Sequence, residues 1–266
     1  MNSMFRVEKI NESNKRRIIE YIESDVIKHV FAFYDIQYDP QHTTAYAVFK
    51  DAHVTGYILT YTATDVPSVI LECKEDVAEK LMSYAPETGF IMHTSPTLLP
   101  MVNERFPDAK SYVENWMLVR KNGANFFNSR LVKRLRSEED AALLAKLVLN
   151  REDRPKRMLR RYINWVAKTP VYGVFREGDL VSYAGSFIQL PQVWMIGGVY
   201  TDPKHRNKGN ALLATSAVTK EALTRAEVAA LFVRSDNFPA IRVYEKIGYR
   251  KIGERLWVDV GTGLRP

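Results

Sequence analysis

The residues best suited to chemistry sit in two short stretches of the second half of the chain. The first is Asp202-Pro203-Lys204-His205-Arg206-Asn207-Lys208-Gly209-Asn210-Ala211, which is basic, polar and carries one glycine. It follows a mainly apolar, β-branched and aromatic run, Val193 to Thr201. That run reads as a buried strand, and Asp202-Pro203 stops it because proline cannot continue a ladder. After the glycine, Ala211, Leu212, Ala214, Val218, Ala222 and Leu223 recur at helical spacing. A helix opened in this way turns unpaired N–H groups and the positive end of its dipole towards the loop, which makes an anion site and most naturally a phosphate site. Gly209 permits close approach because it has no Cβ. Arg206 and Lys208 add charge, and Lys204 is within reach of an outer phosphate. The plainer alternative is a basic turn ahead of a helix. The spacing Arg206-x-x-Gly209-x-Ala211 is neither G-x-x-x-x-G-K-[ST] nor G-x-G-x-x-G.

The second stretch is Asn237-x-x-Ala240-x-x-x-Tyr244-x-Lys246-x-Gly248-Tyr249. Asn237 is a good helix cap. Tyr244 shares helical spacing with Ala240, Val243 and Ile247, so from spacing alone it is a core aromatic as readily as a reactive phenol. Gly248 ends the helix as a C-terminal glycine does. Upstream, Gly197-Gly198 interrupts the strand, which marks either a bulge with close backbone approach or tight packing against a helix.

Taken together and in this order, the two stretches resemble the GNAT superfamily of acyl-CoA-dependent N-acetyltransferases. Its signatures are [RQ]-x-x-G-x-[GA] between a strand and a helix, and later N-x-x-A-x-x-x-Y-x-K-x-G-[FY]. The resemblance is specific over Val193 to Tyr249 and rests on element order elsewhere. It implies that Arg206, Asn207, Lys208, Gly209, Asn210 and Ala211 hold the pyrophosphate of acetyl-CoA. It implies that Val199, Tyr200 and Thr201 lie on a splayed strand edge along the pantetheine arm, with Asn237 and Ala240 also on the cofactor. It gives Tyr244 the catalytic role of protonating the departing thiolate, and the amides from Gly198 to Tyr200 the role of polarising the thioester carbonyl. Many family members carry a Glu or Asp on the central strand, but Val193 to Thr201 has none, and Met195 stands in its place. Asp202, Tyr183, Tyr200 and Glu245 are the nearest substitutes; otherwise the amine is deprotonated through water or arrives neutral. The implied reaction is direct acetyl transfer to a primary amine, on a small molecule or a protein. Two other classes stay open: an acyl-CoA-binding sensor or scaffold without turnover, and an RNA-directed protein.

Charge is compatible with each. Residues 1–123 carry 13 Lys/Arg and 17 Asp/Glu, a balance of −4; residues 124–266 carry 25 and 14, a balance of +11. The positive half holds the loop, and its field suits a highly anionic ligand such as coenzyme A, or nucleic acid. No apolar run reaches eighteen residues and the start has no signal pattern, so a cytosolic chain with no membrane span is expected. One cysteine and five scattered histidines argue against a disulfide or a metal site.

The elements needed to position these residues read as α/β (α+β). By the resemblance they form two GNAT-like domains, each a mixed, mostly antiparallel twisted sheet flanked by helices. The domains are residues 1–123, a degenerate copy, and 124–266, the acetyl-CoA-binding copy. Both halves read strand, two helices, hairpin, strand, helix, strand, helix, strand. Helices are expected at Asn11–Ile22, Val26–Tyr34 and Pro155–Ala167, and a capping box at Ser137-Glu138-Glu139-Asp140. A hairpin turns at Arg176-Glu177-Gly178-Asp179. Lys121 to Asn125 is the turn-rich linker, and Phe126 and Phe127 are expected to pack between the halves. Arg151, Arg154, Lys156, Arg157, Arg160 and Arg161 form a cationic run, read as a solvated face ahead of an acidic-acceptor site. Cys73 reads as a small apolar residue. The first half's matching junction, Glu72-Cys73-Lys74-Glu75-Asp76, has no glycine and three carboxylates, so no coenzyme A is expected there.

Overall fold

The structure is a computed structural model and describes residues 5–51, 53–149 and 159–263. The chain divides into two compact units, residues 1–114 with 254–266, and residues 115–253. In chain order the elements are β1 (Arg6–Lys9), α1 (Lys15–Glu23), α2 (Val30–Tyr38), β2 (Thr43–Lys50), β3 (His53–Tyr61), β4 (Ser68–Glu72), α3 (Glu75–Met82), β5 (Phe90–Thr94), α4 (Leu99–Arg105) and β6 (Lys110–Arg120). The same order then recurs as β7 (Val132–Leu135), α5 (Glu138–Leu149), α6 (Leu159–Lys168), β8 (Val171–Arg176), β9 (Asp179–Gln189), β10 (Val193–Thr201), α7 (Asn210–Ala222), β11 (Val228–Arg234), α8 (Phe238–Ile247) and β12 (Arg250–Val260). This is a mixed α/β fold with twisted sheet and flanking helices.

In the first unit the strands run β1-β2-β3-β4-β5-β12. The last strand of the chain lies beside β5, Leu256 to Val260 pairing antiparallel with Thr94 to Phe90. Only β4 and β5 are parallel, because helix α3 crosses between them. Their core is Val48, Ile58, Leu71, Leu81, Phe90, Met92, Leu256 and Val258. In the second unit the strands run β6-β11-β10-β9-β8-β7, with β10 and β11 parallel across α7. Alternation along β9 and β10 feeds both faces. Ala184, Trp194 and Ile196 join α7 and α8 in one apolar cluster, while Tyr183 and Leu180 join α5 and α6 in another.

Local signals explain most boundaries. The Ser137 hydroxyl accepts the Asp140 N–H while the Asp140 carboxylate accepts the Ser137 N–H, so α5 opens on a reciprocal cap. Glu177 (φ 52°) and Gly178 (φ 90°) make the expected hairpin between β8 and β9. Three expectations need correction. Helix α1 begins at Lys15, not Asn11, because the Asn11 carboxamide oxygen accepts the Ser13 N–H and O–H and holds a turn there. Helix α2 begins at Val30, not Val26, because the Asp25 carboxylate accepts the Lys28 N–H and holds the preceding residues in turns. Phe126 and Phe127 are each 36% exposed: the Phe127 N–H donates to Ser216 and Lys220 lies over the Phe126 ring, which ties both to α7. Arg151, Arg154, Lys156 and Arg157, with Pro155, lie outside the described residues, as do the side chains of Arg160 and Arg161.

One buried group makes the first unit sensitive to pH. Asp35 on α2 is 7% exposed, and burial, helped by the Asp39 charge, pushes its carboxyl up to about 7. The unfolded chain ionises this group near 3.9. Below that value it costs nothing; as pH rises towards 7 the unfolded state ionises while the folded state does not, and stability falls. Asp35→Asn removes the titration. The variant should therefore gain on wild type by on the order of a few kcal/mol between pH 4 and 7, read from urea midpoints across that range. A difference that stays flat with pH would show that Asp35 ionises normally in the folded protein.

Candidate functional site

Strand β10 is buried from Val193 to Ile196 and then changes character. It pairs with β11 at only three positions, Val193, Trp194 and Met195, although both strands run on. Beyond Met195 no further pairing joins the two strands. On its other side β10 stays with β9, but through a bulge. Gly197 faces Gly185 and Tyr200 faces Tyr183, so β10 has one extra residue there. The bulge turns at Gly198, whose φ of 67° favours glycine. Trp165 on α6 lies across it: a Cβ on Gly198 would stand 2.5 Å from the indole Cη2, and one on Gly185 2.6 Å from Cζ2. The indole N–H donates to the Ser186 carbonyl, fixing the ring. Gly197 in turn accommodates the Phe187 ring. Both readings of the glycine pair hold: the bulge is real, and aromatic rings occupy the space the missing side chains leave.

The strand ends in a stiff loop. Asp202 caps a 3-10 turn at Pro203–His205, its carboxylate accepting the Lys204 N–H. Arg206 Nε donates back to the Thr201 carbonyl. Asn207 (φ 60°) and Gly209 (φ 75°) are left-handed, and nothing lies within 4 Å of where a Gly209 Cβ would be. No side chain caps α7, and Leu213 is the first residue whose N–H returns to the loop, at the Gly209 carbonyl. The amides of Asn210, Ala211 and Leu212 are thus the unpaired donors of a helix start. Arg206, Asn207 and Lys208 are exposed around them.

The Asn210 side chain turns inward, away from the loop's open face. It is 2% exposed, donates Nδ2 to the His205 carbonyl and accepts from Arg176 Nε and Nη2. It braces the loop, and only its backbone N–H faces outward chemistry. Arg176 was not legible as a site residue, because the contact spans 34 positions and no local pattern announces it. Thr201 and Tyr200 are similarly braced: Ser182 Oγ bonds to Thr201 Oγ1 at 2.7 Å and to the Tyr200 carbonyl at 2.9 Å. A cavity of about 170 Å³ opens beside the loop, with Lys146 and His205 on its wall.

Helix α8 supplies the second stretch. Asn237 caps it, accepting the Ala240 N–H at 3.3 Å, so the cap reading holds. Tyr244 is 6% exposed and shares one apolar cluster with Trp194, Ile196 and, at its edge, Val199 and Ala240. Its ring meets Tyr249 edge-on at 6.0 Å, and Tyr249 is fixed by Thr219. Among the described residues the Tyr244 hydroxyl has no hydrogen-bond partner, and burial raises its pKa, which keeps it a proton donor. Met195 is fully buried; of the substitute bases, Asp202 is the turn cap, Tyr183 is 2% exposed, Tyr200 is half-buried, and Glu245 is exposed. Among the described residues no group of three His, Cys, Asp or Glu is placed to hold a metal ion, and no helix is long and apolar enough to cross a membrane.

Rigidity at the bulge can be measured. Gly198→Ala places a methyl inside the Trp165 contact and on a left-handed backbone. It should destabilise the protein by about 2–4 kcal/mol in urea unfolding, combining backbone strain with overpacking. A change below about 0.5 kcal/mol would mean that the bulge and the indole yield freely.

Comparison with known proteins bears on this geometry. A family model described as FR47-like protein matches residues 171–258, which contain both stretches. No curated protein sequence matches the chain. Among solved structures, a Drosophila protein superposes with a TM-score of 0.75 at 15% identity, over 96% of this chain and 98% of that one. A GCN5-related N-acetyltransferase from Sphaerobacter thermophilus gives 0.64 at 14% identity, covering 96% and 95%. A tandem GNAT protein from the clavulanic acid biosynthesis pathway gives 0.60 at 11%, covering 99% and 100%. At such identities the solved structures speak to fold. The family model covers the part of the second unit that holds both stretches, and the solved structures show that the chain shares the fold of these GNAT proteins.

Proposed function

We propose that the second unit transfers an acetyl group directly from acetyl-CoA to a primary amine, carried on a small molecule or a protein. The observation that carries this reading is the parting of β10 from β11 just ahead of a basic loop whose glycine opens α7. The residues fit the co-substrate: open space over Gly209, exposed cations at Lys204, Arg206 and Lys208, and unpaired helix amides suit a pyrophosphate. Val199, Tyr200 and Thr201 then line the free strand edge, with Asn237 and Ala240 at the start of α8.

When bound, acetyl-CoA supplies the acyl group and a thiolate leaving group. The amides from Gly198 to Tyr200, turned by the bulge, polarise the thioester carbonyl. The amine nitrogen forms the new C–N bond there as the C–S bond breaks. Tyr244 hands its proton to the departing sulfur and recovers one from solvent, while the amine's surplus proton leaves to water. No covalent enzyme intermediate is required. In this reading the protein works in the cytosol, and the first unit is a degenerate copy. Its junction connects β4 to α3 through Cys73 and Lys74 alone, whereas eight residues join β10 to α7. Thr94 Oγ1 also donates to the Leu71 carbonyl, closing the gap between β4 and β5 where β10 and β11 stay apart.

A second reading, acyl-CoA binding without turnover, is favoured by one fact: the strand carries a fully buried Met195 where a carboxylate base would stand. Thiol release from acetyl-CoA over a panel of amines separates the two. Turnover with any amine rejects the sensor; binding with no thiol release over the panel rejects the enzyme.

Two substitutions test the site. Gly209→Glu puts a negative charge into the open space, and should abolish coenzyme A binding in a folded protein, against one molecule per chain in wild type. Unchanged affinity by calorimetry, or two molecules per wild-type chain, would overturn the assignment. Tyr244→Phe keeps the ring packing and removes a hydroxyl that has no hydrogen-bond partner among the described residues, so stability and coenzyme A affinity should hold. Because the donated proton matters mainly in the transition state, the loss falls on kcat. General acid catalysis contributes about 10²–10⁴-fold, and a thiolate is a good leaving group, so about 10² is expected. Wild-type kcat would make Tyr244 a packing residue.

A further inference from the structure

The second unit holds another concave site, of about 500 Å³, at the opposite end of α7 from the glycine loop. Its walls are the last two turns of α7, the edge strand β7, Tyr172 of β8 and the segment around Phe127. From Asn210 to Lys220 the helix rises about 15 Å. The volume falls in the range of small-molecule sites, roughly 300–1,000 Å³.

Charge at this site is unbalanced in a specific way. Four cations line it, Arg134, Arg136, Lys220 and Arg225, against one carboxylate, Glu221. That carboxylate is fully engaged: it accepts from Arg134 Nη1 at 2.8 Å, from Arg225 Nη2 at 3.2 Å and from the Tyr172 hydroxyl at 2.9 Å. Its side chain is only 10% exposed. Lys220 donates to a neutral oxygen, Asn128 Oδ1. Arg136 has no carboxylate partner among the described residues. The inward Ser216 hydroxyl is 1% exposed and already accepts the Phe127 N–H, which leaves its own O–H to donate into the site. The negative end of the helix dipole accounts for one cation near the C-terminus of α7, but not for Arg136 on the far wall.

We infer that this cavity is a binding site for a small, multiply charged oxyanion, a phosphate ester or a polycarboxylate, held between Arg136 and Lys220. Glu221 does not repel such a ligand, because two arginines already neutralise it and its role is to set their direction. Arginine's planar fork matches phosphate and carboxylate alike, so the site's chemistry defines the oxyanion and the experiment defines which. The inference is independent of acetyl transfer at the other end of the helix.

The test uses inorganic phosphate and citrate as separate probes in calorimetry at low ionic strength, on wild type, Gly209→Glu, Arg136→Gln and Arg136→Gln/Lys220→Gln. One or both probes should bind wild type and Gly209→Glu equally, and about tenfold or more weakly to the double variant, the scale of losing charge-assisted hydrogen bonds. Arg136 is exposed and has no ion-pair partner among the described residues, so the single variant keeps the fold and should weaken binding alone. Phosphate binding without citrate binding assigns a phosphate ester; the reverse assigns a polycarboxylate. Binding that is lost in Gly209→Glu but kept in Arg136→Gln/Lys220→Gln would put the anion in the glycine loop and overturn the inference. So would no binding of either probe to wild type.

Discussion

The short pairing of β10 with β11 constrains everything around it. Parallel strands that part expose backbone N–H and C=O groups, and a buried group left unpaired costs about 1–3 kcal/mol. The second unit keeps this gap by fixing the strand from its other side. Antiparallel bonds to β9 continue through the bulge, Ser182 ties down the Tyr200 carbonyl and Thr201, and Trp165 sits over Gly185 and Gly198, where a Cβ would run into the indole. The loop is held in the same manner, by Asp202, Arg206 and the Arg176–Asn210 clamp. The open donors of the first turn of α7 therefore follow directly on the stretch of β10 that has parted from β11.

The first unit applies the same topology and reaches the opposite result. Its β4 and β5 also pair at three positions, yet the Thr94 hydroxyl bridges to the Leu71 carbonyl as the strands begin to separate. The two-residue turn into α3 leaves no cradle. Cys73 packs there so closely that a Cβ on Gly56 would come within 2.7 Å of its own, and burial pushes the thiol up to about 12. With Glu72, Glu75 and Asp76 at the junction, an anion meets an unfavourable field. One fold thus gives a gap with donors or a sealed joint, according to loop length and one threonine.

Much of this was legible in the sequence because it is local. The apolar run of β10, its stop at Pro203, the left-handed glycines at 178, 209 and 248, and the reciprocal cap of α5 depend on neighbours a few residues apart. The parts that were missed depend on distance or on competition. The pairing of β12 with β5 joins segments more than 150 residues apart. The clamp from Arg176 onto Asn210 has no spacing signature. Helix α2 starts late because a single carboxylate, Asp25, outbids the helix for the Lys28 N–H, and apolar periodicity does not register such a contest. Phe126 and Phe127 looked too large for solvent, but one backbone hydrogen bond and one cation–ring contact suffice to seat them at 36% exposure.

Met195 bears most directly on the proposed chemistry. It is the last residue of β10 still paired on both sides, to Ile188 and to Ala230, and it is fully buried. A carboxylate at this position would be desolvated with apolar neighbours, and would either rise in pKa or require a partner that the surrounding core does not offer. A thioether fits that core without demanding a partner. The consequence for an acetyl transfer is a division of labour: the protein donates at the carbonyl and at the sulfur, through amides and a phenol, and accepts nothing from the amine. An acceptor served by such a site has to bring its nitrogen in neutral form or shed its proton to water. Weakly basic amines, largely unprotonated near pH 7, meet that condition better than a lysine side chain, with its ordinary pKa of about 10.4.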